Sequence, residues 1–102
     1  MSPRNRSIVI TRRAQRDIDD IILHSLDNWD EDQARTYRAA LERALDSLRE
    51  FREIGQTREE LGPDYRSLGV EQHVIYYRLE PTTILVRRIL HRRREVRREM
   101  LE

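Results

Sequence analysis

The stretch YRSLGVEQHVIYYRLEPTTILVRRIL, residues 65–90, decides the fold. Three runs rich in β-branched and aromatic residues (65–70, 73–79 and 83–90) are parted by the breaks EQ and EPT, each short enough for an antiparallel hairpin. Three consecutive strands are therefore predicted. In the last of them Ile84, Val86, Arg88 and Leu90 fall on one side and Leu85, Arg87, Ile89 and His91 on the other. Each side carries an arginine, so alternation does not assign the core face.

Ahead of these runs, GQTREELGPDY (55–65) has no periodicity and holds two glycines and a proline, the composition of a connecting loop. Two helical patterns precede it. Ala14, Ile18, Ile21, Ile22, Leu26 and Trp29 recur at spacings of three and four, with Thr11 placed to cap the helix they define. Asp30, followed by Gln33 three residues on, is a variant capping box that starts a second helix through Ala34, Tyr37, Leu41, Ala44, Leu45, Leu48 and Phe51. Gly55 is expected to stop it, because glycine tolerates the left-handed conformation just past a helix end. SIVIT (7–11) reads as a first strand.

The resulting order, β-α-α-β-β-β, is an α+β fold in which a helix hairpin packs on a small twisted antiparallel sheet whose opposite face is open. With 102 residues and no linker, the chain is read as a single domain, 1–102, with flexible ends at 1–6 and 96–102. No apolar run approaches the roughly 20 residues that span a bilayer, and the amino terminus lacks the apolar block of a secretory signal. A cytoplasmic protein without a membrane partner is expected. The absence of cysteine excludes disulfides and thiolate metal sites, and the three histidines show no metal-ligand spacing; no metal or cofactor is expected.

Charge is balanced overall at +1 but segregated along the chain. Residues 17–32 hold seven acids and no base, whereas 85–102 hold seven arginines against three glutamates. All twenty basic residues are arginine. HRRREVRRE (91–99) fits a solvated terminus, a surface for an acidic protein partner, or a phosphate contact. A dedicated DNA-binding domain is usually strongly basic overall, so sequence-specific nucleic-acid binding is not expected here. Glu59 or Glu60, Arg66 and His91 form a second candidate set. If they converged at one end of the sheet they would supply base, phosphorane stabiliser and acid for RNA cleavage. The plainer alternative is a surface loop of exposed glutamates with an arginine pairing one of them.

From the first strand to about Glu95 the chain resembles the ParE toxins of bacterial type II toxin–antitoxin systems, within the wider ParE/RelE superfamily, most specifically through ELGPDYRSL (60–68), HVIYYR (73–78) and RILHRRRE (88–95) in that order behind a helix hairpin. The resemblance implies a toxin held inactive by a ParD-like antitoxin that wraps the hairpin and lies along the sheet, with DNA gyrase as the poisoned target and blocked replication as the result. It places toxicity at Arg66, Arg87, His91, Arg93 and Arg94, presented beside the open sheet face. It places antitoxin binding at Ile18, Ile22, Leu26, Tyr37 and Leu41, and these residues also build the fold. Two other readings follow from the superfamily. One is a RelE-like ribosome-dependent mRNA endonuclease using Glu60, Arg66 and His91; the other is an inactive member that only binds antitoxin. Against the nuclease, Arg92 stands where such enzymes resemble one another in a terminal tyrosine. Arg92 also replaces a common glycine of the ParE pattern, and Gly69 and Glu71 replace its usual proline and glycine around the turn between the second and third strands.

Overall fold

The computed structural model describes residues 7–102, so expectations about residues 1–6 lie outside the described part of the chain. A first strand, β1 (Ser7–Ile10), leads through Thr11 into helix α1 (Arg12–Asn28). The Thr11 hydroxyl accepts the Ala14 N–H at 3.1 Å, satisfying one of the donors that a helix start leaves unpaired. Helix α2 (Glu31–Glu50) follows after Trp29 and Asp30, and the Asp30 carboxylate accepts the Gln33 N–H at 2.8 Å. Glu31 and Asp32 occupy its first turn, where the helix dipole favours negative charge.

Past the hairpin come β2 (Gln56–Thr57), a 3-10 turn (Glu59–Leu61), β3 (Tyr65–Val70), β4 (His73–Leu79), β5 (Thr83–His91) and a final 3-10 turn (Arg98–Leu101). The five strands form one sheet in the order β1-β5-β4-β3-β2. The fold class matches the sequence reading, but the sheet is mixed: β1 runs parallel to β5, from Ser7 opposite Thr83 to Ile10 opposite Val86. A parallel pair needs a long crossover, and the hairpin, loop and three intervening strands supply it.

The helices cover one sheet face. Ala14, Ile21, Leu41, Leu48, Ile75, Tyr77, Ile84, Val86 and Ile89 form the main core. Ile84 and Val86 reach it in alternation, yet so does Ile89, three positions on. A β-bulge reconciles them: Tyr76 pairs with Arg88 and Tyr77 with Val86, leaving Arg87 as the extra residue and restarting the alternation out of phase.

The other sheet face, expected open, is covered by the chain itself. Leu61, Tyr65, Tyr76, Leu90 and Leu101 form a second cluster, flanked by Val74, Val96 and Met100. Leu101 is only 1% exposed, and its carbonyl accepts hydrogen bonds from Arg87 Nε and, at 3.5 Å, the Tyr65 hydroxyl. Residues 96–102 thus differ from the flexible end expected of them, because Leu101 fills an apolar socket. Burying such a side chain is worth roughly 1.5–3 kcal/mol.

Gly55 also has a different role. The helix ends at Glu50, and Phe51 rather than glycine caps it. A Cβ on Gly55 would lie 2.5 Å from the Tyr77 hydroxyl and 2.7 Å from the Ser67 carbonyl oxygen. That hydroxyl accepts the Gly55 N–H at 2.9 Å and donates to the Arg52 carbonyl at 3.0 Å, so glycine permits the close approach that satisfies a buried phenol.

Candidate functional site

The basic run leaves β5 in a tight turn. The Arg92 N–H donates to the Gln72 carbonyl at 2.8 Å and the Arg94 N–H to the His91 carbonyl at 2.9 Å. His91 Nδ1 accepts the Arg93 N–H at 3.1 Å. The turn therefore closes on His91 itself and projects three arginines into solvent. Arg92, Arg93 and Arg94 are exposed and form no ion pair with any other described residue. Of the residues expected to carry toxicity, His91, Arg93 and Arg94 are brought together here.

Arg66 and Arg87 are employed elsewhere. Arg66 Nη1 donates to the carbonyls of Glu53 (3.0 Å) and Gly55 (2.8 Å), stapling the loop after α2 to the start of β3. Arg87 is the bulge residue, bonded to the carboxy-terminal segment over the second sheet face. On that face the Arg58 guanidinium lies 5.5 Å from the Tyr76 ring centre and that of Arg78 5.9 Å from Tyr65, both within cation–π range.

The nuclease set is not assembled. Tyr65 pairs with Arg78, which pairs with Leu85, whereas Val70 pairs with His73, which pairs with His91. Arg66 is therefore at one end of the sheet and His91 at the other. Four residues of strand separate Arg66 from Val70, roughly 13 Å at about 3.3 Å per residue. Glu60 shares the Arg66 end but is paired with Arg58 at 2.7 Å, and this hydrogen bond holds its carboxyl below the usual range. Glu59, the other candidate acid, is exposed in the same 3-10 turn.

A feature that periodicity did not disclose adjoins the arginine turn. Trp29, Tyr37, His73 and His91 form a column of rings with successive centroid distances of 5.8, 5.4 and 5.4 Å. The Tyr37 hydroxyl accepts the Gln72 N–H at 3.0 Å and is also hydrogen-bonded to His73 Nδ1. The half-buried ring of His73 favours its neutral form. Burial, reinforced by the nearby charges of His91 and His24, lowers its pKa to about 4. Burial likewise pushes the Tyr37 phenol up. The only sequence signal was the pair His73 and His91, whose adjacency depends on hairpin register.

The hairpin residues divide. Ile18 and Leu41 line a groove of about 320 Å³ with Ile8, Ile10 and Leu45, bordered by Arg38, Glu42, Asp46 and Arg49. Tyr37 instead lies under a separate hollow beside Trp29. Leu41 and Tyr37 are buried core residues, Ile22 is half-buried, and Leu26 remains 46% exposed on α1. Among the described residues no group of three or more histidine or acidic side chains could hold a metal, and no helix is long and apolar enough to cross a membrane.

A family model described as ParE toxin of type II toxin-antitoxin system, parDE, matches residues 8–96. Toxin ParE1 of Mycobacterium tuberculosis is 33% identical over 93 residues, covering 90% of this chain and 95% of that protein. Toxin ParE1 of Caulobacter vibrioides is 33% identical over 82 residues, covering 80% and 84%. Among solved structures, a chain of the chromosomal ParDE toxin–antitoxin system from P. aeruginosa superposes with a TM-score of 0.73 at 22% identity, covering 86% of this chain and 97% of its own. A chain of the toxin–antitoxin complex RelBE2 from Mycobacterium tuberculosis gives 0.59 at 25% identity, covering 86% and 99%.

Proposed function

We propose that this chain, which belongs to the ParE toxin family of type II toxin–antitoxin systems, arrests growth by binding DNA gyrase in the cytoplasm, and that a ParD-like antitoxin holds it inactive. Gyrase as target comes from the resemblance of the chain, from its first strand to about Glu95, to that branch. Action by binding is supported by the separation of Arg66 and His91 to opposite ends of the sheet, which leaves the nuclease chemistry without its three groups in one place. The gyrase-binding surface is the turn that carries His91, Arg93 and Arg94, where exposed guanidiniums are available to carboxylates of a protein target.

The antitoxin reading rests on the groove between the hairpin and β1. Its floor of Ile8, Ile10, Ile18, Leu41 and Leu45 suits apolar side chains, and its rim carries both signs of charge. Among the described residues β1 also leaves one edge unpaired at the end of the strand order, which suits an added strand. The solved ParDE system of P. aeruginosa is a named precedent for such a pairing in a structural neighbour.

Labelled thymidine and labelled methionine incorporation are followed within minutes of inducing the chain without antitoxin. Thymidine incorporation is expected to stop first, and purified gyrase is expected to accumulate cleaved DNA in the presence of the chain. Methionine incorporation stopping first would overturn the gyrase reading; no arrest of either would identify an inactive member. Co-expression with the product of an adjacent reading frame encoding a ribbon-helix-helix protein with an acidic tail is expected to restore growth and yield a stable complex.

A further inference from the structure

The hollow at the closed end of the helix hairpin and the arginine turn after β5 are neighbours of opposite charge. The hollow, about 610 Å³, is walled by Trp29 and Tyr37 and rimmed by three acids, Asp30, Asp32 and Glu71, against one base, Arg43; Asp32 is also paired with Arg35 at 3.2 Å. Gln72 lines it too, and the Gln72 carbonyl accepts the Arg92 N–H, so the turn begins where the rim ends. Each half offers what the other recognises, since a guanidinium is held well by an aromatic face flanked by carboxylates. Within one chain the two halves do not satisfy each other. No ion pair joins Arg92, Arg93 or Arg94 to a described carboxylate, and Trp29 stays 42% exposed.

A patch of two complementary halves pairs with itself across a two-fold axis, hollow to turn and turn to hollow. We propose that this end of the molecule is the interface of a homodimer, in which Arg93 and Arg94 of one copy enter the Trp29–Tyr37 hollow of the other. A second copy is the occupant because it engages both halves at once, whereas a basic partner would use only the hollow and an acidic one only the turn. The patch is small and charge-based, so the dimer is weak and salt-sensitive.

The full-length chain, made by cell-free synthesis, is studied by sedimentation equilibrium at about 0.1 M and about 1 M salt, between which the screening length falls from about 10 Å to about 3 Å. The mass is expected to rise with concentration from 12.4 kDa towards twice that value at low salt and to return at high salt. Trp29, the only tryptophan, is expected to shift its emission to the blue as the dimer forms. The variant Arg93→Glu with Arg94→Glu, and separately Asp32→Arg with Glu71→Arg, are each expected to be folded monomers by circular dichroism. Mixed, they regain complementary charges at both contacts and are expected to dimerise. A monomer under all conditions, a dimer that survives both reversals, or a mixture that stays monomeric would overturn the proposal. So would a Trp29 shift that appears only on adding antitoxin, which would assign the hollow to that partner.

Discussion

Arg88 and Asp17, 71 positions apart, form a bidentate pair: Nε to Oδ2 at 2.8 Å and Nη2 to Oδ1 at 3.1 Å. Their side chains are only 5% and 12% exposed. Asp17 Oδ2 also accepts the Ile89 N–H at 2.9 Å, on the stretch of β5 that extends past the end of β1. The carboxylate thus does for this strand edge what a neighbouring strand would otherwise do. Together with Thr11, whose N–H and hydroxyl donate to the Val86 and Arg87 carbonyls, it fixes α1 against the sheet.

Removing Asp17 alone leaves a buried guanidinium uncompensated and a buried amide without an acceptor. Asp17→Ala is expected to lower unfolding free energy by about 3–5 kcal/mol. The double variant Asp17→Leu with Arg88→Met is expected to recover part of the loss, since apolar replacement of a buried pair is often close to neutral. Recovery stays incomplete because the Ile89 N–H still lacks its partner. Urea denaturation of the parent, Asp17→Leu, Arg88→Met and the double variant measures the coupling; additive losses would sink the account.

The carboxy-terminal segment is held chiefly by one side chain. Leu101→Ala is expected to cost about 2–5 kcal/mol, whereas Leu101→Met, which conserves volume, is expected to cost less than about 1.5 kcal/mol. Hydrogen exchange supplies a local readout. In Leu101→Ala the amides of 98–101 should lose protection ahead of the β3–β4 ladder, and unchanged protection there would contradict the packing role.

His73 makes stability depend on pH in a defined window. Its folded pKa of about 4 lies below its unfolded value of 6.5, so folding favours the neutral ring. This contribution is complete above about pH 6.5, declines as pH falls towards 4 and is gone below it. The full shift would correspond to roughly 3 kcal/mol, reduced to about 2 kcal/mol because the ring is only half-buried. His73→Gln is expected to be less stable than the parent at pH 7, because the Tyr37 contact is altered, and to have a shallower dependence between pH 6.5 and 4. Parallel slopes for parent and variant over that window would remove His73 as the cause.

How much of this was legible in the chain follows from the range of each signal. The caps at Thr11 and Asp30 and the limits of β3 and β4 depend on residues within a few positions, and they were read directly. The parallel placement of β1 beside β5 joins segments 76 positions apart, and no local pattern encodes it. Alternation failed in β5 because the bulge at Arg87 changes its phase, which is visible only once Tyr76 and Tyr77 are paired. Gly55 looked like a helix terminator because its real reason, the Tyr77 hydroxyl, lies 22 positions away. For the site, the composition of 91–94 identified the arginine turn, but it could not show Arg66 and Arg87 bonded to backbone carbonyls, nor the His73 ring packed between those of Tyr37 and His91.

That division among the arginines yields a last expectation. Arg93 and Arg94 are exposed, so replacing both by alanine is expected to change stability by no more than about 0.5 kcal/mol. Charge-assisted contacts to a target are worth about 1.5–3 kcal/mol each, so the same double variant is expected to weaken binding to the proposed target by at least about tenfold. Arg66→Ala is expected to behave in the opposite way. It removes hydrogen bonds to the Glu53 and Gly55 carbonyls and loosens the loop after α2, destabilising the fold by about 1–3 kcal/mol. Any loss of toxicity in that variant should then follow the folded fraction and be restored by lowering the temperature. Growth arrest at matched expression, together with thermal melts of the three proteins, separates the two effects. An Arg66→Ala chain that is fully folded and inactive, beside an Arg93→Ala, Arg94→Ala chain that still kills, would move the target-binding surface from the end of β5 to the start of β3.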